Sequence, residues 1–241
     1  MNRLILAIAL ASALPLAYAN TDLPELSKVN GSVIAKAGLA YGEVSTVNGS
    51  ISIESKASAQ AVETVNGEIT VDAGASVGDV STVNGEIVLR NGVSARSVET
   101  VNGAIIGVSN LRIAQNIEAV NGSIEIGANS VVMGNIENVN GHIKLLAMKV
   151  QGNIETVNGN ITLGENTIVN GGITVSKPTG WGVNWGKPKV PRIVIGPNVQ
   201  VFGPLVFERE VELFVHSTAK LNGKVTGATA IPYSGKVPDS K

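Results

Sequence analysis

The stretch Val62-Glu-Thr-Val65-Asn66-Gly67-Glu-Ile69-Thr-Val71 contains the pattern that decides the fold. Its tripeptide Val-Asn-Gly recurs nine times along the chain, and a related Leu221-Asn222-Gly223 follows near the C-terminus. The first seven steps between copies are 18, 18, 18, 18, 19, 19 and 18 residues, and only the last step, of 12, breaks the period. The nine copies begin at Val29, Val47, Val65, Val83, Val101, Val120, Val139, Val157 and Val169. Self-similarity at a fixed period predicts a repeat architecture.

Each repeat has the pattern of short β-strands. Ile69 and Val71 alternate with polar residues, which is the period of a half-buried strand and not that of a helix. Val62 and Val65 are an odd number of residues apart, so both face inward only if the chain turns or bulges between them or at the Asn-Gly pair. Asn and Gly tolerate left-handed backbone angles at such a corner. A repeat of this size, with two or three short strands, predicts one coil of a parallel β-solenoid.

The alternative is an antiparallel meander, because Asn-Gly is also the strongest short-range hairpin signal. Its second turn in each repeat would come from segments such as Asp72-Ala-Gly74, Asn91-Gly92 and Gly127-Ala-Asn129. A meander would need well over ten strands in an open sheet, more than the ~10 at which such sheets curl or split. Stacked coils also explain why Val, Asn, Gly and Ile recur in register, so the solenoid is favoured.

Stacking places the repeated Asn residues in one column, where each side-chain amide can bond to the coils above and below. About eight coils at ~4.8 Å each give a rod about 40 Å long for this part. The predicted structural ladder consists of Asn30, Asn48, Asn66, Asn84, Asn102, Asn121, Asn140 and Asn158.

The composition agrees with a narrow, repetitive interior. The 241 residues are 44% hydrophobic but only 3% aromatic, and aliphatic side chains suit a thin core. The formal net charge of −1 and the apolar content exclude a disordered chain, and the absence of a basic field argues against nucleic acid as a partner. There is no Cys, so stability must come from packing and backbone pairing.

The N-terminus has the features of a secretory signal peptide. Arg3 precedes an apolar stretch from Leu4 to Leu16, and Ala17-Tyr18-Ala19 fits a signal peptidase site before Asn20. The apolar stretch is shorter than the ~20 residues that span a bilayer. We therefore expect residues 1–19 to be removed and the mature chain, with no membrane span, to be exported to the periplasm or the cell surface.

Residues 176–192 interrupt the repeat after the solenoid domain at 20–175. This predicted loop holds Trp181 and Trp185, the only Trp residues of the chain, among Lys177, Lys187, Lys189 and Arg192. The two Trp rings could stack on a sugar or a partner, or they could pack back on the rod, which is the commoner fate of Trp. Strand alternation resumes over 193–230, which predicts further coils and a C-terminal cap, and 231–241 is expected to be a flexible tail.

The sequence offers little for catalysis, so we expect no enzyme and no cofactor. An exported β-helix could be a polysaccharide lyase or hydrolase, but Asp72 and Asp79 lie at different corners and Asp22 and Asp239 lie near the ends. His142 occupies a variable outward position typical of a solvated surface residue. The prediction is no catalytic residues and no dedicated metal site.

Two further columns are expected on the outer surface. Glu63, Glu99, Glu118, Glu137 and Glu155 each lie two residues before Val-Asn-Gly, and the last four form a candidate cation-binding row. A solvated face that blocks lateral aggregation is the alternative and is favoured. An adjoining Thr column resembles the Thr rows of ice-binding solenoids, although Ala119 and Asn138 interrupt it. Its members are Thr46, Thr64, Thr82, Thr100 and Thr156.

The in-register Val-Asn-Gly-x-Ile coils resemble a family of bacterial β-solenoid adhesins and, less closely, the polymer-forming bactofilins. The resemblance covers roughly residues 29 to 230 and implies a right-handed parallel β-helix. It also implies a structural or adhesive role in the cell envelope, by self-association or by contact with surface polysaccharide. A carbohydrate-binding module using Trp181 and Trp185, and a β-helical carbohydrate-active enzyme, remain as alternatives.

Overall fold

A computed structural model describes residues 23–178 and 190–237, and in these ranges the chain forms 28 β-strands and no helix. The strands are β1 (Leu26–Asn30), β2 (Val33–Ala35), β3 (Ala40–Asn48), β4 (Ile51–Ile53), β5 (Ser58–Asn66), β6 (Ile69–Val71), β7 (Ser76–Asn84), β8 (Ile87–Leu89), β9 (Ser94–Asn102), β10 (Ile105–Gly107), β11 (Arg112–Ile113), β12 (Ile117–Asn121), β13 (Ile124–Ile126), β14 (Val131–Val132), β15 (Ile136–Asn140), β16 (His142–Leu145), β17 (Lys149–Val150), β18 (Ile154–Thr156), β19 (Asn160–Leu163), β20 (Ile168–Val169), β21 (Ile173–Val175), β22 (Arg192–Ile195), β23 (Gln200–Val201), β24 (Leu205–Phe207), β25 (Glu212–His216), β26 (Lys220–Leu221), β27 (Val225–Thr226) and β28 (Ala230–Tyr233).

The strands stack as a parallel β-solenoid of eleven coils, which confirms the predicted fold class. One sheet takes a single short strand from every coil, in the order β2-β4-β6-β8-β10-β13-β16-β19-β22-β25-β28. The other sheet has 17 strands and contains the long strands β3, β5, β7 and β9. Every pairing is parallel, with like residues opposed, as in Ile69↔Ile87 and Asn66↔Asn84. At the ~4.8 Å spacing of paired strands, eleven coils make a rod about 50 Å long.

The 19-residue steps coincide with a change in the coil. Ala95 pairs with Ile113, 18 residues on, whereas Val98 pairs with Ile117, 19 residues on. The extra residue lies at a corner near Asn116 and divides the long strand of the earlier coils into two. From β11 and β12 onward every coil therefore contributes three short strands.

The interior is narrow and aliphatic. Ile51, Ile69, Ile87, Ile105 and Ile124 lie in one fully buried column. No turn separates Val62 from Val65. Val62 and Thr64 face inward, and Val65 lies on the outer surface. This overturns the expected outward Thr column, whose members are all buried.

Most glycines of the Asn-Gly corner are required for close approach and not, as expected, for left-handed angles: of the eight, only Gly31 (φ 103°) and Gly141 (φ 141°) have positive φ. Gly67, Gly85 and Gly103 have no positive φ. A Cβ added to Gly85 would lie 1.8 Å from the carbonyl oxygen of Gly67 in the preceding coil. No side chain fits at that distance, so the stacking of the coils selects Gly.

Left-handed backbone is more regular at the turn that follows the strands of the eleven-stranded sheet, where it occurs after every strand except β25. Gly or Asn occupies most of these positions, but Lys56 (φ 59°) and Ala147 (φ 47°) do not fit that preference. The residues with positive φ at this turn are Gly38, Lys56, Gly74, Gly92, Asn110, Asn129, Ala147, Asn166, Asn198 and Gly235.

The ninth Val-Asn-Gly belongs to a different corner, so it does not continue the register of the first eight. Val169 pairs with Val150, and Leu221 pairs with Val201 in the same column. The 12-residue step is therefore a move from one corner of the coil to another. The next residue in the Asn column is Lys177, since Thr156 pairs with Val175.

The C-terminal end is capped, and part of the predicted flexible tail is ordered. Strand β28 extends to Tyr233, whose ring is buried and lies edge-on to His216 at 5.0 Å. Ser217 N donates to Tyr233 O, so the backbone groups of Tyr233 face β25. Successive residues of a strand alternate in this respect, and the peptide nitrogen of Pro232 therefore faces the free edge. Pro has no N–H, so it blunts that edge, and Lys220 and Lys224 lie on the two other terminal strands or beside them.

Candidate functional site

The candidate site is an outward surface of the 17-stranded sheet, made by the long strands and their successors from β1 to β18. It has three adjacent columns: the predicted Glu row, the valines of Val-Asn-Gly, and the Asn ladder at its border. We call this surface the valine face, and its valines are Val29, Val47, Val65, Val83, Val101, Val120, Val139 and Val157.

The Asn side chains of the predicted ladder lie in one column and are joined by amide hydrogen bonds. Asn84 Nδ2 donates to Asn66 Oδ1 at 2.9 Å and Asn84 Oδ1 accepts from Asn102 Nδ2 at 2.9 Å. Every bond runs in the same direction, toward the preceding coil, and the distances range from 2.9 to 3.1 Å. The full set joins Asn30, Asn48, Asn66, Asn84, Asn102, Asn121, Asn140 and Asn158. Each interior Asn thereby both donates and accepts.

The buried Thr column supports the same corner from inside. Thr64 Oγ1 donates to Gly49 O at 3.0 Å, and Thr82 and Thr46 make the equivalent bonds to glycine carbonyls. Because these hydroxyls satisfy backbone oxygens in the interior, they are not available to order water on the surface. The ice-binding idea, which needs an exposed Thr row, is wrong for this column.

Two positions depart from this Thr arrangement. Ala119 has no hydroxyl, and Asn138 takes the position with its Nδ2 donating to Gly122 O at 2.6 Å. The Oδ1 of Asn138 is buried and has no hydrogen-bond partner in the described part of the chain. An unsatisfied buried acceptor costs stability.

The Glu row is in register over four successive coils. Glu99 pairs with Glu118, Glu118 with Glu137, and Glu137 with Glu155. Partial burial raises the pKa of Glu137, and the neighbouring Glu118 and Glu155 raise it further against a hydrogen bond from Asn135. Burial, with Glu118 and Asp79 as lesser causes, also raises the pKa of Glu99. The pKa of Glu155 is raised by burial.

Glu63 lies apart from these four, with Ser81 between it and Glu99. Burial raises its pKa, with Glu43 and Asp79 adding to the effect. Asp79 is the exception on this surface, because hydrogen bonds from Arg96 and Ser97 hold its pKa below the usual range. No group of three or more His, Asp or Glu side chains within 23–178 and 190–237 is arranged to hold a metal ion.

A second set of Asn residues supports the Glu row and was missed by the sequence analysis. Asn135 N donates to Asn116 Oδ1 and Asn153 N to Asn135 Oδ1, both at 2.9 Å. Asn116 and Asn135 also donate their Nδ2 to Glu118 and Glu137 at 3.1 and 3.2 Å. The signal was present as Asn-Ile-Glu, which recurs from Asn116, Asn135 and Asn153.

The valines on this face are exposed to different extents along the rod. Val29 and Val47 are 67% and 41% exposed, those from Val65 to Val139 are half-buried, and Val157 is 9% exposed. Arg209 lies at this last position, where its Nη1 donates to Val157 O at 3.1 Å. The face is thus apolar along one column and anionic along the next.

Trp181 and Trp185 lie outside the described residues, so only the two attachment points of their segment are visible. Lys177 N donates to Glu208 Oε2 at 3.2 Å before it, and Arg192 N donates to Asn160 Oδ1 at 2.9 Å after it. Lys177, which precedes the segment, lies at the position where the Asn column would continue. Both attachment points are fixed to the rod.

The two His residues contact neighbouring side chains. His142 Nε2 lies 2.9 Å from Glu125 Oε1 on the exposed side of the eleven-stranded sheet, with Lys144 3.7 Å from the same carboxylate. His216 contacts Thr218 Oγ1 at 3.0 Å and the ring of Tyr233. These contacts are local surface and cap interactions.

Comparison with known proteins adds no relative. The chain matches no known family model, no curated protein and no solved structure. None of the described segments contains a helix that is long and apolar enough to cross a membrane.

Proposed function

We propose that this chain is an exported, non-enzymatic element of the cell envelope, a rigid rod that displays the valine face to a surface or a partner. The observation that carries this proposal is the register of the face. Seven exposed or half-buried valines, four successive carboxylates and eight laddered Asn residues repeat along the rod at the strand spacing, so one contact chemistry is offered many times.

The proposal places the contact on the side of the rod and not at its C-terminal end. Pro232 removes a donor from that end, and β26 and β27 are only two residues long. Short edge strands, Pro and Lys are the means by which proteins avoid edge-to-edge pairing. The side of the rod carries an apolar column, exposed at Val29 and Val47 and half-buried from Val65 to Val139, that is flanked by charge, which is the composition of many interaction surfaces.

The test is cosedimentation of the purified chain with isolated envelope fragments. The double variant Val83→Ser, Val101→Ser changes the valine face in two successive coils, and Val88→Ser, Ile106→Ser makes a matched change on the outward side of the eleven-stranded sheet. We expect the first pair to weaken binding about tenfold and the second to leave it unchanged, with similar melting temperatures. Equal binding by both variants would contradict the proposal.

A carbohydrate-binding module is the second candidate, favoured by the fixed attachment points of the 179–189 segment. Lys177 and Arg192, which flank the segment, both donate backbone hydrogen bonds to side chains of the rod. Trp181→Ala with Trp185→Ala should abolish retardation in polysaccharide affinity gels without lowering the melting temperature. A lower melting temperature with unchanged retardation would count against it. Product release from acidic polysaccharides would overturn the non-enzymatic assignment.

Export is tested separately by the mature N-terminus. Expression of the full sequence in a bacterial host should yield a periplasmic or surface-associated chain that begins at Asn20. A cytosolic chain that keeps residues 1–19 would exclude a role in the envelope.

A further inference from the structure

The chain contains eleven Asn-Gly pairs, and one of them, Asn222-Gly223, has fewer hydrogen bonds than the others. In ten pairs the Asn side chain takes part in a hydrogen bond, either in the Asn ladder or, for Asn91 and Asn170, at another turn or corner. Asn222 is exposed and its side chain has no hydrogen-bond partner among the described residues. It lies in the last coil, where no further coil stacks upon it.

The following Gly is also less restrained at this site. In nine of the other pairs the Gly N–H donates a hydrogen bond, as Gly85 N does to Asn102 O at 3.0 Å. Gly223 N has no acceptor in the described part of the chain, and Gly141 N shares that property. Asn140, however, is held through both ends of its amide in the ladder. Only Asn222-Gly223 lacks both restraints.

We infer that Asn222-Gly223 is a site of spontaneous deamidation, with water as the co-reactant. The Gly223 nitrogen loses its proton and attacks Cγ of Asn222, forming a C–N bond. The Cγ–Nδ2 bond breaks, and Nδ2 leaves as ammonia after taking up a proton. Water then opens the succinimide ring at one of its two C–N bonds, giving Asp or isoaspartate. Asn-Gly permits this attack because Gly has no side chain to obstruct its nitrogen.

The isoaspartate product would loosen the cap. It adds a methylene group to the backbone at a corner with no free space, since a Cβ on Gly223 would lie only 2.0 Å from Gly203 O. The last coil would have to separate from the one below. That separation exposes β23, β24 and the five-residue strand β25, which lack Pro and are otherwise covered by β26, β27 and β28. Deamidation therefore converts a blunted end into an open strand edge.

The experiment ages the purified full chain in mildly alkaline buffer and follows each Asn-Gly peptide by mass spectrometry, with and without urea. In the folded chain we expect Asn222 to react about tenfold or more faster than Asn84, because Asn84 must first lose two hydrogen bonds. Asn140, restrained by its side chain alone, should fall between them. In urea the three rates should converge.

Equal rates at Asn222 and Asn84 in the folded chain, or faster reaction of any ladder Asn, would overturn the inference. The variant Asn222→Gln is the matched control, because its longer side chain forms the cyclic imide far more slowly. Aged wild-type chain should form larger particles in light scattering, whereas aged Asn222→Gln should not. Growth of the variant at the wild-type rate would contradict the link between deamidation and the cap. The site itself does not depend on the proposed function.

Discussion

Arg209 donates a hydrogen bond of 2.7 Å from Nη1 to Oδ1 of Asn158, 51 residues earlier in the chain. Asn158 is the last member of the Asn ladder, and its Oδ1 would otherwise accept from an Asn at position 177, where the chain has Lys. The guanidinium thus takes the place of the Asn side chain that the next coil lacks. At the N-terminal end of the rod, the Tyr41 hydroxyl accepts a hydrogen bond from Lys36 N at 3.0 Å. In later coils the equivalent N–H donates to a backbone carbonyl of the preceding coil.

Removal of one ladder Asn should cost a measurable part of the stability. Asn84→Ala deletes a donor to Asn66 and an acceptor from Asn102, so we expect a loss of about 1–2 kcal/mol in the free energy of unfolding. Urea denaturation measures it. Ser50→Ala, at an exposed position outside the ladder, should change stability by less than about 0.5 kcal/mol. Equal effects would mean that the ladder adds nothing.

The corner glycines should not tolerate even a methyl group. Gly85→Ala places a Cβ 1.8 Å from Gly67 O, so we expect a loss of about 3 kcal/mol or more, or failure to fold. At Gly42 an added Cβ meets its nearest atoms at 3.5 Å, an ordinary contact. Thermal melting of Gly42→Ala should therefore match the wild type. A stable Gly85→Ala variant would contradict the close stacking of the coils.

The two residues that depart from Gly or Asn at the left-handed turn offer stabilising substitutions. Ala147 has φ 47°, and relief of that backbone strain by Ala147→Asn should add about 1 kcal/mol. Asn129→Ala creates the same mismatch in the neighbouring coil and should lose about as much. Urea denaturation of the two variants should show changes of opposite sign in the free energy of unfolding. Two neutral variants would refute it.

The buried acceptor of Asn138 predicts another stabilising change. Asn138→Thr restores the side chain used in the same column by Thr100 and Thr156 and removes an unpaired oxygen, so we expect a gain of about 1 kcal/mol. Thr82→Val deletes the hydroxyl that bonds to Gly67 O and should lose about 1 kcal/mol. A destabilised Asn138→Thr chain would show that a solvent molecule already satisfies the Asn.

The Glu row should make the rod more stable as the pH falls from neutrality. The pKa values of Glu99, Glu137 and Glu155 are raised in the folded chain, so folding takes up protons between the ordinary glutamate range and the raised values. Stability therefore rises as the pH falls through that window. Below it, protonation of Asp79, whose pKa is lowered, removes the Arg96 contact and stability declines.

Glu137→Gln isolates this effect. At neutral pH the variant should be more stable than wild type by under about 1 kcal/mol, and the difference should vanish in acid. Glu165→Gln, at an exposed turn outside the row, is the control and should follow the wild-type pH profile. Melting temperatures across the pH range measure both. A Glu137→Gln advantage that grows in acid would have the wrong sign.

The sequence could predict the parts of the fold that one residue type enforces. Val-Asn-Gly at 18 or 19 residues was enough for the parallel solenoid and its Asn column, because only stacked coils place like residues together. It did not reveal which side Thr64 and Val65 face, since the inward residues Ala59 and Val62 are three residues apart and the alternation breaks between them. The ninth copy broke the period, and the structure gives the reason, since two corners of one coil use the same Asn-Gly pair. The second set of Asn residues, Asn116, Asn135 and Asn153, was missed because Asn-Ile-Glu recurs only three times in the sequence.

The most direct test of the account is negative-stain electron microscopy with light scattering on the purified chain from Asn20. A rod with a blunted C-terminal end and a free lateral face should appear as discrete particles about 50 Å long, with no growth as concentration rises. Filaments that lengthen with concentration would contradict it, because they would place self-association at the ends and not recognition on the valine face.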